Sequence, residues 1–189
     1  MSAVILIPAK GPDSIGFGGA AYGIVKQVYR QKGGGYRYQA GVQKAQPGVQ
    51  YNKCFWTSKS ASDVFWDAIS AASTFIMMSH CGIEDGPILY YSKSDTDYCQ
   101  PWPKAGTDNS LSQAGKDFWG KMKNKSSFKI VLIGCSSAVS YASLVAKEAQ
   151  CPVYGFLNNC TAASDIVQIP LLRAIEAGKV PTGMKKCDP

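Results

Sequence analysis

The chain has 189 residues and a mass of 20.3 kDa, a size that fits a single α/β domain over residues 1–189. With 46% apolar and 17% charged residues it can bury a core, which excludes the disordered class. Its net charge of +7 admits an anionic partner such as an envelope polymer, while no apolar run approaches the roughly 20 residues of a membrane helix, so no transmembrane segment is expected.

The opening Met-Ser-Ala-Val-Ile-Leu-Ile lacks a preceding basic segment, and Pro8 cuts it off. This argues for a cytoplasmic protein, or one exported by a route that needs no N-terminal signal peptide. The run Ala3 to Pro8 reads instead as a strand buried on both faces, because its apolar residues are continuous. The Gly16, Gly18, Gly19, Gly23 cluster reads as a tight turn before a helix from Ala20 to Gln31. Its spacing is not GxGxxG and no acidic residue ends a second strand some 20 residues on, so a dinucleotide cradle is disfavoured. Tyr36, Tyr38, Ala40 and Val42 alternate as an extended segment, and a helix is expected from Ala61 to Ala72.

Thr74 to Met78 is the next apolar strand, followed by Ser79-His80-Cys81-Gly82 and a short strand from Ile88 to Tyr91. The polar stretch 92–109, with Pro101 and Pro103, reads as a long surface loop. A helix from Leu111 to Asn124 carries Lys116, Lys121 and Lys123, with Phe118 and Met122 among them at helical spacing. With Lys125 and Lys129 these lysines form the densest basic stretch, read as a solvated helix face, and no nucleic-acid motif accompanies them. The strand Phe128 to Ile133 runs into Gly134-Cys135-Ser136-Ser137 and a helix from Ala138 to Gln150. A strand from Pro152 to Leu157 and a helix from Pro170 to Gly178 complete the pattern. Alternating strands and helices imply a three-layer α/β/α sandwich with a mostly parallel central sheet.

Seven cysteines occur without a CxxC or a paired Cys/His zinc spacing, and His80 is the lone histidine, so neither metal nor cofactor is expected. In open parallel sheets ligands bind beyond the carboxyl ends of the strands. His80 and Cys135 both fall at such ends. If their strands are neighbours, imidazole and thiol meet over one sheet edge, and the helix expected after Cys135 favours a thiolate.

An apolar strand ending near a histidine, then a strand ending in cysteine 55 residues later, resembles the caspase-like (caspase-hemoglobinase fold) cysteine peptidases, for which the spacing is about 50. Lys129-Ile-Val-Leu-Ile-Gly-Cys-Ser-Ser-Ala is similar to that family's nucleophile strand, and the likeness spans about Thr74 to Leu157. The caspase Gln-Ala-Cys-Arg-Gly signature is replaced by Ile-Gly-Cys-Ser-Ser, and Cys81 stands between His80 and Gly82. The resemblance implies a cysteine hydrolase acting on a peptide or amide substrate. Cys135 would attack the carbonyl, and His80 would protonate the leaving amine and then activate water. The amides of Cys135 and of Gly82 or Cys81 would hold the oxyanion, with Ser79 and Ser136 orienting the pair. Substrate would be read by loops 92–109 and 158–165, with Asp95, Asp97, Asp165, Arg37 and Arg173 as charged candidates. Size and charge extend the reading to an effector or toxin acting on an anionic envelope. The alternative is a non-catalytic α/β binding or adaptor domain whose thiol is structural. A nucleotide-binding protein is the third reading.

Overall fold

A computed structural model of the chain describes residues 3–7, 14–29, 36–40, 51–54, 59–82, 86–88, 105–106, 110–111, 113–123 and 127–189. In chain order the first half contains β1 (Ala3–Ile7), α1 (Ser14–Gln27), β2 (Tyr36–Ala40), β3 (Tyr51–Cys54), α2 (Lys59–Ala71) and β4 (Thr74–Met78). Three small strand pieces and one more follow as β5 (His80–Gly82), β6 (Gly86–Ile88), β7 (Ala105–Gly106) and β8 (Ser110–Leu111). The remainder is α3 (Gln113–Gly120), β9 (Lys129–Ile133), α4 (Tyr141–Ala149), β10 (Val153–Phe156), α5 (Asp165–Glu176) and β11 (Met184–Cys187).

Seven of these strands form one sheet in the order β11-β10-β9-β4-β1-β2-β3, parallel throughout except for the antiparallel β10–β11 edge. The chain moves outward from β1 through β2 and β3, then returns to β4 on the other side of β1. That reversal makes the carboxyl ends of β1 and β4 a topological switch point, where a crevice opens in sheets of this kind.

Strand alternation sorts the core into two layers. Val4, Leu6, Phe75, Met77, Ile130 and Leu132 face a cluster that includes Phe65 of α2, Trp119 of α3 and Val145 of α4. Ala3, Ile5, Ile7, Ile76, Met78, Val131 and Ile133 face Phe17 and Ile24 of α1 and Leu172 of α5. Helices thus cover both faces, as in a three-layer α/β sandwich. Burying each such large apolar side chain contributes roughly 1.5–3 kcal/mol. The aromatic residues Phe65, Trp66, Phe75, Phe118 and Trp119 pack edge-on or tilted, with Phe65 and Phe118 stacked, at centroid distances of 4.8–6.2 Å, and all but Trp66 are buried, which makes this layer core rather than a base-stacking platform. Phe55 and Trp56 lie outside the described residues.

Several boundaries depart from the sequence expectation. The glycine cluster lies inside α1 rather than in a turn before it. Added side chains would press Gly16 onto Ala163 at 3.3 Å and Gly23 onto Asp165 Oδ2 at 2.1 Å, so these glycines let α1 approach the start of α5. Pro170 sits within α5, not at its first position. The helix starts earlier because Asp165 favours the first turn and Ile169, Leu172 and Ile175 form a buried stripe. Its end agrees with the reading: Gly178 (φ 77°) donates to Ile175 O and Lys179 to Ala174 O, a Schellman arrangement. The edge strand β11 had no sequence counterpart.

The basic helix is a solvated face as expected. Lys116, Lys121 and Lys123 are exposed while Phe118 and Met122 are buried, with Lys121 over the Trp66 ring and Lys123 paired to Glu148. Lys129 does not belong to that face. It opens β9 and pairs with Glu176. No helix among the described residues is long and apolar enough to cross a membrane.

Candidate active site

The condition set by the sequence reading was that the two strands be neighbours. β4 pairs with β9 in parallel, in a register that ends at Met78 opposite Ile133. Ser79 N–H extends the pairing to Ile133 O at 3.1 Å. His80 and Cys135 therefore stand two residues past the same rung of the ladder, on strands about 4.8 Å apart.

Met78 and Ile133 point into the α1/α5 layer. The regular ladder ends there, with His80 in the next strand piece and Cys135 in a turn, so contacts rather than alternation place the two side chains. The exposed His80 ring meets Phe17 of α1 edge-to-face at 5.6 Å. Cys135 Sγ lies against Cys160, which packs on the α1/α5 layer.

Gly134 explains how close the two strand ends run. A Cβ there would come within 2.7 Å of Cys81 Cβ and 2.9 Å of Ser79 O. Glycine is thus a steric requirement of the site. Ser79 itself is buried and serves the β4–β9 pairing. His80, Cys81 and Gly82 do not run into an open loop. They form β5, which pairs antiparallel with β6 through His80–Ile88, Cys81–Pro87 and Gly82–Gly86. The strand expected from Ile88 to Tyr91 meets this hairpin partner, Gly86–Ile88, at Ile88, and residues 89–91 lie outside the described residues.

The helix after Cys135 begins later than expected, at Tyr141, and the intervening residues form turns. The thiolate-favouring helix terminus expected from Ala138 is thus displaced by three residues, away from Cys135. The amides that would have formed it are committed elsewhere. Ser136 N–H donates to Asn158 O, Ser137 N–H to Gly134 O, Ala138 N–H to Phe156 O and Val139 N–H to Ser136 O. Ser136 adopts a left-handed φ of 53°, which a short polar residue tolerates when the neighbouring bonds over-determine the turn.

Ser137 is the organiser of that turn, and sequence reasoning missed it. Fully buried, its hydroxyl donates to Leu132 O at 3.0 Å and accepts from Phe156 N–H at 3.0 Å, tying the ends of β9 and β10 together. Gly155 leaves it room, since a Cβ there would fall 2.9 Å from Ser137 Oγ. Buried Gln168 of α5 was also missed. Its amide donates to Thr161 O at 3.0 Å and pins the loop that carries Cys160. The second serine of the Cys-Ser-Ser run was the one available signal.

Cys135 Sγ sits between the backbone groups of Cys160, receiving its N–H at 3.4 Å and donating to its carbonyl at 3.6 Å. Burial pushes the Cys160 thiol up to about 12, helped by the charge Cys135 can carry, by a hydrogen bond between the two side chains and by Cys81. Cys81, Cys135, Cys151, Cys160 and Cys187 stand in no disulfide among the described residues. No group of three or more His, Cys, Asp or Glu among the described residues could hold a metal ion.

The charged substrate-reading candidates separate. Asp165 packs on Gly23, and its Oδ1 accepts from Ile166 N–H. Arg173 reaches Gln27 O at the far end of α1, at the opposite sheet edge, so it does not face the site. Arg37 lies on β2, two strands from β4. Asp95 and Asp97 lie outside the described residues. Exposed apolar residues lie on the segments around it, Val139 after β9, Leu157 after β10 and Ile166 and Val167 in the first turn of α5, together with exposed Asn158, Asn159 and Thr161. Comparison with family models, curated proteins and solved structures gives no match for this chain.

Proposed function

We propose that the protein is a cysteine hydrolase of distant caspase-like kind, cleaving a peptide or amide bond with Cys135 as nucleophile and His80 as general acid and base. The observation that supports this is the β4–β9 register, which brings a strand-end imidazole and a strand-end thiol to equivalent positions past the same rung. The reaction would proceed in two steps. Cys135 sulfur adds to the carbonyl carbon, the leaving amine departs with a proton from His80, and an acyl-enzyme remains. His80 then takes a proton from water as it attacks the thioester, regenerating the thiol. Ser136 to Val139 spend their amides on the turn, which leaves the Cys135 N–H and the β5 backbone as the oxyanion donors to test. The exposed apolar residues Val139, Leu157, Ile166 and Val167 favour substrates with an apolar side chain beside the scissile bond. Action on an envelope polymer belongs to the same proposal and is supported only by the positive charge.

A second reading has an observation of its own. Cys135 sulfur is hydrogen-bonded on both sides by Cys160, as a structural thiol in a binding or adaptor domain would be. Iodoacetamide labelling followed by a fluorogenic peptide-amide library separates the two. The hydrolase reading expects one fast thiol at Cys135, slowed in His80→Gln, and library turnover abolished in Cys135→Ala. Uniformly slow thiols without turnover would establish the adaptor reading.

A further inference from the structure

We propose that Cys135 and Cys160 form a redox modification site: a peroxide converts them to an intramolecular disulfide, with Cys160 as the resolving thiol. The N–H and C=O of Cys160 flank Cys135 Sγ at 3.4 and 3.6 Å, so the Cα between them, and the side chain it carries, adjoins the sulfur. The two residues are only half-buried, open to an oxidant as small as hydrogen peroxide. Both are also held. The Cys135 turn is fixed by Ser136 N–H on Asn158 O, and the Cys160 loop by Gln168 on Thr161 O. A disulfide needs Cα atoms no more than about 7 Å apart, and the contacts of Cys135 Sγ with both backbone groups of Cys160 bring the two residues within that reach.

The chemistry balances with hydrogen peroxide as the oxidant. Cys135 sulfur, as thiolate, attacks one peroxide oxygen. An S–O bond forms, the O–O bond breaks, and hydroxide leaves to be protonated to water, giving a sulfenic acid. Cys160 sulfur then attacks Cys135 sulfur. The S–S bond forms as the S–O bond breaks, and the departing hydroxide takes the Cys160 proton as a second water. The two thiols lose two electrons and the peroxide gains them. Reduced Cys160 holds its proton partly because of the charge and hydrogen bond of Cys135. The charge of Cys135 is removed once it is a neutral sulfenic acid, while the larger effect of burial on Cys160 remains. Cys81 is the competing partner, being close enough to influence Cys160.

This inference goes beyond the hydrolase reading and does not depend on it. The full-length chain is treated with a few equivalents of hydrogen peroxide, quenched with N-ethylmaleimide, digested without reductant and mapped by mass spectrometry. A Cys135–Cys160 cross-linked peptide, lost on reduction and formed at least about tenfold faster in the folded chain than in urea, is expected. In Cys160→Ser, dimedone should instead trap the Cys135 sulfenic acid. Linkage of Cys135 to Cys81, or direct passage of Cys135 to sulfinic acid in the wild type, would overturn the assignment. A disulfide that forms in a chain without peptide turnover would sink the hydrolase while leaving this site standing.

Discussion

Ser137 shows how much one small side chain carries. Its hydroxyl satisfies the Leu132 carbonyl and the Phe156 amide at once, both at the inner ends of neighbouring strands. Ser137→Ala leaves those buried groups without their partner, so it should lower stability by about 1–3 kcal/mol in urea unfolding. It should also loosen the Cys135 turn, and Cys135 alkylation kinetics would register that change. A wild-type unfolding midpoint would show that the two groups find other partners. Cys160 gives a second test at this scale. A thiol pushed up to about 12 keeps its proton across the neutral range. Iodoacetamide should therefore label it more than about tenfold more slowly in the folded chain than in urea between pH 7 and 9. Equal rates in the two states would mean that the loop does not shield it.

At the scale of the elements, the decisive contact is between the ends of β4 and β9. Gly134→Ala would drive a methyl into Cys81 Cβ and the Ser79 carbonyl, of which the latter is backbone and cannot swing aside. The expected result is a loss of about 1–3 kcal/mol with a changed Cys135 reactivity, because the strain falls on the link between the two site strands. Unchanged stability and labelling would mean that the strands part without cost. The strands of this sheet were legible because Ala3–Ile7, Thr74–Met78 and Lys129–Ile133 are nearly unbroken apolar runs, as sheets covered on both faces require. The strand-end positions of His80 and Cys135 followed from that. Where reading failed, long-range contacts had replaced local preference. Residues 136–138 have helical neighbours in sequence, yet their amides go to Gly134, Phe156 and Asn158. The glycines of α1 serve contacts with Ala163 and Asp165, 140 and more residues away in the chain. The short β11 pattern of Met184, Lys185, Lys186 and Cys187 has too few positions to announce a strand.

Across the whole molecule the two edges of the sheet do different work. At the amino edge, where β4 and β9 begin, Glu176 of α5 gathers Lys129, Thr74 and the Tyr29 hydroxyl beyond α1. Four segments are joined there, each 45 to 55 residues from the next in sequence, and none carries the proposed chemistry. Glu176→Ala strands a half-buried ammonium and two hydroxyls. Because Lys129 keeps some access to water, the loss should sit near or below the low end of the range for broken buried pairs, about 3 kcal/mol. Cys135 labelling in the folded variant should match the wild type, since the site lies at the other end of both strands. A slowed or quickened thiol would show that the edges are coupled.

The same division sets the response to alkali. Burial, then the neighbouring Glu176, raises Tyr29 well above its ordinary range, and burial raises Cys160 from 9.0 to about 12. In both groups the folded state holds its proton where the unfolded chain has released it. Unfolding therefore liberates protons above the unfolded values, and stability falls as pH rises. Below about pH 9 both groups are protonated in either state and contribute no pH dependence. The Cys160 contribution is lost first, between pH 9 and about 12, and that of Tyr29 begins about one unit higher. Urea midpoints measured from pH 8 to 11 should hold to about pH 9 and then decline. Cys160→Ser should lessen the early part of that decline, which it shares with Cys187, and Tyr29→Phe the later part, which it shares with buried Tyr141. A decline of full size in the double variant would place the alkaline sensitivity outside these two side chains.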